Sequence, residues 1–123
     1  MALRVLIVDD SETTRRILKT IIHSRHWTVC GEAENGWDGV KSFKDLKPDV
    51  VLLDLAMPDI NGLEAAKCMS ALDPSVPLIL FTIMEIERLQ RAAAKAGICA
   101  VIPKTQVWTL LGSIETAVGL RPN

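Results

Sequence analysis

The 123-residue chain has few aromatic residues, few cysteines and almost no net charge. Aromatic residues make up 4% of it, tyrosine is absent, and the formal net charge is -1 at pH 7. So small a charge argues against binding nucleic acid through a basic surface. Cys30, Cys68 and Cys99 form neither a CxxC pair nor a metal-binding pattern with histidine, which favours buried, reduced thiols.

The sequence also lacks a hydrophobic run of the length that a signal peptide or a membrane span requires. Its apolar start, residues 1–8, meets Asp9-Asp10 too early for either. We therefore expect a cytoplasmic location and no membrane partner. Hydrophobic residues nevertheless make up 49% of the chain, which is enough for one core. One domain is expected over residues 1–119, followed at 120–123 by a tail or the start of a linker to a domain not present in this chain.

Short apolar runs alternate with segments of helical period along the whole chain. Five strands are predicted at residues 3–8, 27–32, 50–53, 78–81 and 99–102. Helices are predicted at residues 12–24, 36–46, 61–72, 85–96 and 107–118, with Ser11 and Asn61 as N-caps of the first and third. This alternation predicts an α/β domain whose strands are parallel and joined by right-handed crossovers.

Polar side chains follow four of the predicted strands at the point where each strand ends. They are Asp9 and Asp10, Asp54, Thr82 and, after Pro103, Lys104. The carboxyl ends of parallel strands border the crevice in which open α/β sheets bind ligands. We therefore expect three acids, one hydroxyl and one ammonium to gather at one edge of the sheet.

This set of side chains suits phosphoryl transfer. Three neighbouring carboxylates repel one another, and a hard divalent ion such as Mg²⁺ relieves that repulsion. Asp54 stands alone on the central strand, and a carboxylate can attack a phosphoryl group to give an acyl phosphate. The Lys104 ammonium and the Thr82 hydroxyl can then stabilise the charge that develops on the phosphoryl oxygens.

The ordered set resembles the receiver domain of two-component response regulators. It consists of Asp9-Asp10, Asp54 in the run Asp-Leu-Ala-Met-Pro-Asp-Ile-Asn-Gly62, Thr82 and Lys104, and the resemblance covers about residues 3–118. It implies a flavodoxin-like (βα)5 three-layer sandwich with strand order 2-1-3-4-5. It also implies a protein that catalyses only its own phosphotransfer and dephosphorylation and is not otherwise an enzyme.

The same resemblance implies roles for single residues. A sensor histidine kinase would phosphorylate Asp54. Mg²⁺ would bind Asp10 and Asp54 directly, Asp9 through water, and the backbone carbonyl of Ala56. Thr82 and Lys104 would contact the phosphoryl oxygens, and a partner would read the surface of the fourth helix, fifth strand and fifth helix.

The output of the protein is a finer expectation. The Lys104-Thr105 step and the segment 30–36 resemble receivers of the NarL/LuxR type, which usually carry a C-terminal helix-turn-helix domain. We favour the N-terminal half of a transcription regulator, in which the receiver itself does not bind nucleic acid. A homodimer on activation is one open option for its assembly. A stand-alone receiver and a pseudo-receiver that binds partners without phosphorylation stay open as alternatives.

Some residues depart from the usual receiver pattern. Val101 takes the place of a common aromatic residue, so the usual coupling of hydroxyl and aromatic ring cannot operate in that form. Ile83, followed by Met84, stands after the switch hydroxyl where a small residue is usual, and we expect slow hydrolysis of the phosphoryl group. Thr105 stands where proline usually follows the lysine, and family geometry still predicts a cis Lys104–Thr105 bond.

Several residues are expected to lie at the surface. Trp37 is expected to cover the core edge, Trp108 to be exposed or at an interface, and both histidines to be solvated, as are Arg15, Arg16 and Arg25.

A phosphoesterase with an aspartyl intermediate would need a second acid at the position of Ala56. A flavin-binding protein would need a phosphate loop where Asp9-Asp10 stands.

Overall fold

Five parallel strands in the order β2-β1-β3-β4-β5 form the centre of the fold. The computed structural model describes residues 2–83 and 86–119, so Met84 lies outside the described residues. The strands are β1 (Arg4–Val8), β2 (Thr28–Ala33), β3 (Val50–Leu53), β4 (Leu78–Thr82) and β5 (Ile98–Pro103). The helices are α1 (Glu12–His23), α2 (Gly36–Leu46), α3 (Gly62–Leu72), α4 (Ile86–Lys95) and α5 (Leu110–Ala117). The flavodoxin-like architecture and the predicted strand order are confirmed.

The sheet is buried on both faces because successive side chains of each strand point to opposite sides. In β1, Val5 and Ile7 pack in one core with residues of α1 and α5. Leu6 and Val8 pack in the other core with residues of α2, α3 and α4. This arrangement explains why the strands read as continuous apolar runs in the sequence.

Two predicted helix caps set the points at which the chain leaves the sheet. The Ser11 hydroxyl accepts a hydrogen bond from the Thr14 N–H at 3.2 Å, and the Asn61 side chain accepts one from the Glu64 N–H at 2.9 Å. Both N-cap predictions are confirmed. α1 and α3 therefore begin close behind the strand ends that carry Asp9-Asp10 and Asp54.

The connection after β5 differs from the prediction. Residues Lys104–Thr109 form a 3₁₀ segment with a non-helical break at Gln106, and α5 begins only at Leu110. The Lys104–Thr105 peptide bond is trans, so the prediction of a cis bond is wrong. Without proline at residue 105, a cis bond costs about 3–4 kcal/mol, and the trans bond carries no such penalty.

Several predictions about surface residues need correction. Trp37 is 56% exposed, not part of the core edge, because α2 turns Gly36, Gly39 and Phe43 inward instead. Trp108 is 74% exposed, in line with the expectation for it, and His23 and His26 are exposed as predicted. Cys30 and Cys68 are half-buried and Cys99 is exposed, so the prediction of buried thiols is wrong for Cys99. Within residues 2–83 and 86–119, no helix is long and apolar enough to cross a bilayer.

Gly62 closes the loop between β3 and α3 against the backbone of Asp54. Its N–H donates to the Leu55 carbonyl at 2.8 Å, and a Cβ added at Gly62 would collide with the Asp54 carbonyl oxygen. The colliding atom belongs to the backbone and cannot turn away as a side chain would. The loop that follows Asp54 therefore depends on glycine at this position.

Gly62→Ala is expected to lower the free energy of unfolding by about 1–3 kcal/mol, the usual cost of forcing extra atoms into a packed site. The matched control is Gly112→Ala in α5, where nothing lies within 4 Å of an added Cβ. The control should raise stability by up to about 1 kcal/mol, because alanine favours helix more than glycine does. Urea unfolding measures both changes, and equal effects of the two substitutions would contradict the expectation.

Candidate functional site

The register of the sheet brings the acids together. Val8 of β1 lies opposite Leu53 of β3, and the Asp54 N–H donates to the Val8 carbonyl at 2.9 Å. Asp9 and Asp54 directly follow these two residues, so they lie side by side at the ends of β1 and β3. Carboxylate oxygens of Asp9, Asp10 and Asp54 all lie within 4.8 Å of one another. We call these three residues the acidic cluster.

The members of the acidic cluster differ in their exposure to solvent. Asp9 and Asp54 are 2% and 7% exposed, whereas Asp10 is exposed. Burial raises the pKa of the Asp54 carboxyl, and the negative charge of Asp9 raises it further, while Lys104 acts in the opposite direction. The positive charge of Lys104 thus favours the ionised form of Asp54, against the effects of burial and of Asp9.

Lys104, which directly follows β5, supplies that charge from two strands away from β3. Its Nζ lies 2.9 Å from Asp9 Oδ2 and 3.4 Å from Asp54 Oδ1. The same ammonium lies 5.9 Å from the centre of the Phe81 ring, within the range of a cation–π interaction. Sequence reasoning placed Lys104 at this edge and missed Phe81, which lies beside Thr82 in β4.

The structure places the other predicted site residues in different surroundings. Thr82 is 1% exposed at the end of β4. It pairs with Pro103 of β5, the residue that precedes Lys104. Ala56 lies in the exposed loop after Asp54. Val101 is half-buried and packs against the core that faces α2, α3 and α4, whereas Ile83 is 81% exposed.

The turn that carries Asp9 is held by several polar contacts. Asp9 Oδ1 accepts a hydrogen bond from the Ser11 N–H at 2.9 Å, and the Asp9 N–H donates to the Ala33 carbonyl at 3.0 Å. The Asp9 carbonyl accepts one from Nη1 of Arg15 at 2.7 Å. Arg15 is 8% exposed and also bonds Glu32 at 3.2 Å, so its prediction as a solvated residue is wrong.

The loop after Asp54 is fastened to the start of α2 by Asp59. The two carboxylate oxygens of Asp59 accept hydrogen bonds from the N–H groups of Gly36 and Trp37 at 2.8 and 2.9 Å. Desolvation alone raises the pKa of Asp59, but the N–H donors of Trp37, Gly36 and Ile60 together lower the pKa below its ordinary value. Sequence reasoning missed this contact, which joins residues far apart in the chain.

The acidic cluster fits a hard divalent cation. Its donors are all oxygen, and three carboxylates converge within the reach of one ion. Mg²⁺ prefers sites of this kind, in which a few carboxylates leave room for water and phosphate oxygens. The Lys104 ammonium offsets only part of the negative charge, because three acids face one lysine.

Comparison with known proteins agrees with this geometry. Residues 5–113 match the family described as response regulator receiver domain. The chemotaxis protein CheY of Listeria monocytogenes is 38% identical over 116 residues, which cover 94% of this chain and 98% of that protein. A LuxR-family two-component response regulator from Aurantimonas sp. is 25% identical with a TM-score of 0.92, over 98% of this chain and 89% of the other. A chain of the CheX–CheY–BeF3–Mg²⁺ complex from Borrelia burgdorferi is 25% identical with a TM-score of 0.83, over 91% of this chain and 88% of the other.

Replacing Asp59 by asparagine is expected to remove a pH-dependent part of the stability. The pKa of Asp59 is lower in the folded protein than in the unfolded chain. Its contribution is therefore complete above the ordinary aspartate pKa of about 3.9 and is lost as the pH falls through the folded pKa. Urea unfolding should show wild type more stable than Asp59→Asn at neutral pH, with the difference shrinking below about pH 4. A difference that is constant with pH would contradict the assignment.

Proposed function

From the premise that this chain belongs to the response regulator receiver domain family, we propose that Asp54 is its phosphoacceptor. A sensor histidine kinase is the proposed donor. The observation that carries the proposal is the buried pair of Asp9 and Asp54 with the Lys104 ammonium between them, 2.9 Å from one and 3.4 Å from the other. A carboxylate can act as the nucleophile toward phosphorus, and a cation held beside it can stabilise the charge on the phosphoryl oxygens.

The proposed transfer exchanges one bond to phosphorus for another. An Asp54 carboxylate oxygen forms the new O–P bond while the N–P bond of phosphohistidine breaks. The electron pair of the broken bond returns to the imidazole nitrogen, so nothing is oxidised or reduced. Lys104 is positioned to stabilise the negative charge on the phosphoryl oxygens, and the Thr82 hydroxyl is proposed as a further donor to them.

Mg²⁺ is the proposed cofactor. Asp10 and Asp54 would hold it directly, Asp9 through water, and the Ala56 carbonyl would complete the protein ligands. When bound, the ion supplies positive charge next to the phosphoryl oxygens. The convergence of the acidic cluster supports this assignment, and so does the Mg²⁺ in the similar Borrelia burgdorferi complex.

The proposed output is a change in the surface formed by α4, β5 and α5. A phosphoryl group adds about -1.5 to -2 charges beside Lys104, which stands at the junction of β5 with the segment leading to α5. Thr82 and Lys104 would move toward this group and shift the loops after β4 and β5. This change is proposed to reach a partner in the cytoplasm or to favour a homodimer.

Two contexts for that output have support. Similarity to the LuxR-family regulator favours a receiver of the NarL/LuxR type spanning residues 1–119, joined from residue 120 to a helix-turn-helix domain that regulates transcription. Similarity to CheY over 98% of the Listeria monocytogenes protein favours a receiver that acts alone. In neither context does the receiver itself bind nucleic acid or act as an enzyme beyond its own phosphoryl chemistry.

Asp54→Asn is expected to abolish phosphorylation. Wild-type protein incubated with radiolabelled acetyl phosphate and Mg²⁺ should acquire one label. Asp54→Asn should acquire none, because the asparagine amide is not a nucleophile for phosphorus. Asp45→Asn, an exposed acid on α2, is the matched control and should be labelled like wild type. Removal of Mg²⁺ with EDTA should also prevent labelling. Full labelling of Asp54→Asn would contradict the assignment of the phosphoacceptor.

Ile83 and Met84 are proposed to slow hydrolysis by restricting the access of water to the phosphoryl group. Ile83→Ala with Met84→Asn should hydrolyse about tenfold faster, which corresponds to a barrier lower by about 1.4 kcal/mol. Ile83 is 81% exposed, so its truncation should not disturb the core. Leu72→Ala, which shortens another exposed apolar side chain, is the control. Decay of the isolated labelled protein measures the rates, and equal decay in all variants would contradict the proposal.

A further inference from the structure

We propose that Arg15 is a positioning residue that fixes the backbone of Asp9 and thereby sets the affinity of the acidic cluster for a divalent cation. The inference deepens the proposed function and rests on its metal site. Arg15 does not belong to the acidic cluster, and it hydrogen-bonds the Asp9 carbonyl, not the Asp9 carboxylate. Its role is therefore to hold a ligand-bearing turn in place.

The first step of the argument is the burial of Arg15. Arg15 is 8% exposed, so its guanidinium loses much of its hydration. Such a buried charge is retained only where several acceptors replace the lost water. Nη1 donates to the Asp9 carbonyl at 2.7 Å, and Nε donates to Glu32 at 3.2 Å. Glu34 lies 3.7 Å from Nη2, but its side chain is 77% exposed and contributes little.

The second step is the way in which Asp9 is held. Its two carboxylate oxygens bond in different directions, Oδ1 to the Ser11 N–H and Oδ2 to Lys104. The carboxylate can meet both partners only if the Asp9 backbone keeps its orientation. That backbone is held by the Ala33 carbonyl on its N–H and by Arg15 on its carbonyl. Asp10 follows that same carbonyl, so its placement depends on the same contact.

The third step is the rigidity of the support behind Arg15. Glu32 stands in β2 and also pairs with Lys19 at 3.0 Å, so the acceptor of Arg15 is itself held in place. The planar guanidinium reaches Asp9 and Glu32 together as a fixed fork, which a lysine ammonium on a flexible stem cannot reproduce. Arg15 thereby links the turn that carries Asp9 and Asp10 to Glu32 of β2.

If Arg15 formed only a structural salt bridge, its replacement would lower stability without changing the affinity for the cation. The chain offers a comparison in Arg25, which bonds Glu115 at 2.7 Å and whose own side chain is 46% exposed. Glu115 is also buried, but Arg25 follows the C-terminal end of α1, whereas Asp9-Asp10 precedes its N-terminal end. The two ion pairs thus lie toward opposite ends of one helix, and only one contacts the acidic cluster.

The test is direct binding of Mn²⁺, a hard cation suited to oxygen ligands, measured by the EPR signal of the free ion. Arg15→Met should weaken binding about tenfold, in the range found for residues that orient metal ligands. Arg25→Met should bind Mn²⁺ as wild type does, whatever stability it loses in urea unfolding. Arg15→Lys, which keeps the buried charge, should recover part of the affinity.

Unchanged Mn²⁺ affinity in folded Arg15→Met would overturn the inference, and so would an equal loss of affinity in Arg25→Met. If Arg15→Met does not fold, Arg15→Lys decides the matter: weaker binding than wild type supports the inference and equal binding overturns it. The proposed function is tested separately by labelling of wild type. If wild type is labelled and the Arg15 variants bind Mn²⁺ as wild type does, only this inference fails. If wild type is not labelled, the phosphoacceptor role fails, whatever the Mn²⁺ affinities are.

Discussion

Two buried carboxylates on neighbouring strands share one ammonium, and the arrangement of the whole edge depends on that balance. Asp9 and Asp54 are almost inaccessible to water, so their mutual repulsion is weakly screened. Lys104 lies within 2.9 Å of one and 3.4 Å of the other and offsets part of it. Because Asp10 adds a third negative charge, the edge retains an excess of negative charge that suits a divalent cation.

The parallel sheet makes this balance possible. β1 and β3 are adjacent at its centre, so the two carboxylates leave the sheet at the same level. β5 lies beyond β4, and Lys104 must reach back across β4 to meet the acids. The ring of Phe81 in β4 lies within cation–π range of the Lys104 ammonium and stabilises it in this position. The strand order thus determines which charges meet, while the strands themselves carry apolar residues.

The parts of the site that could be predicted from the sequence depend on local patterns. Each acid, the hydroxyl and the lysine follow an apolar run, and a parallel sheet brings the ends of such runs together without further information. The caps at Ser11 and Asn61 are also local, since each bonds an N–H three residues ahead. Trp37 and the Lys104–Thr105 bond were predicted wrongly because the rotation of α2 and the path after β5 depend on tertiary packing and on backbone conformation.

The position of Arg15 on α1 carries a sequence signal for burial, contrary to the prediction of a solvated residue. Arg15, Leu18 and Ile22 have the spacing of one helical face, and all three are buried. A charged residue on an apolar stripe points to a buried partner, because an unpaired charge there is too costly. The partners, Glu32 and the Asp9 carbonyl, lie on an edge strand and in a turn that helical periodicity does not describe. The polar character of β2 thus has a physical reason, because this edge strand supplies the charge that holds Arg15 against the acidic turn.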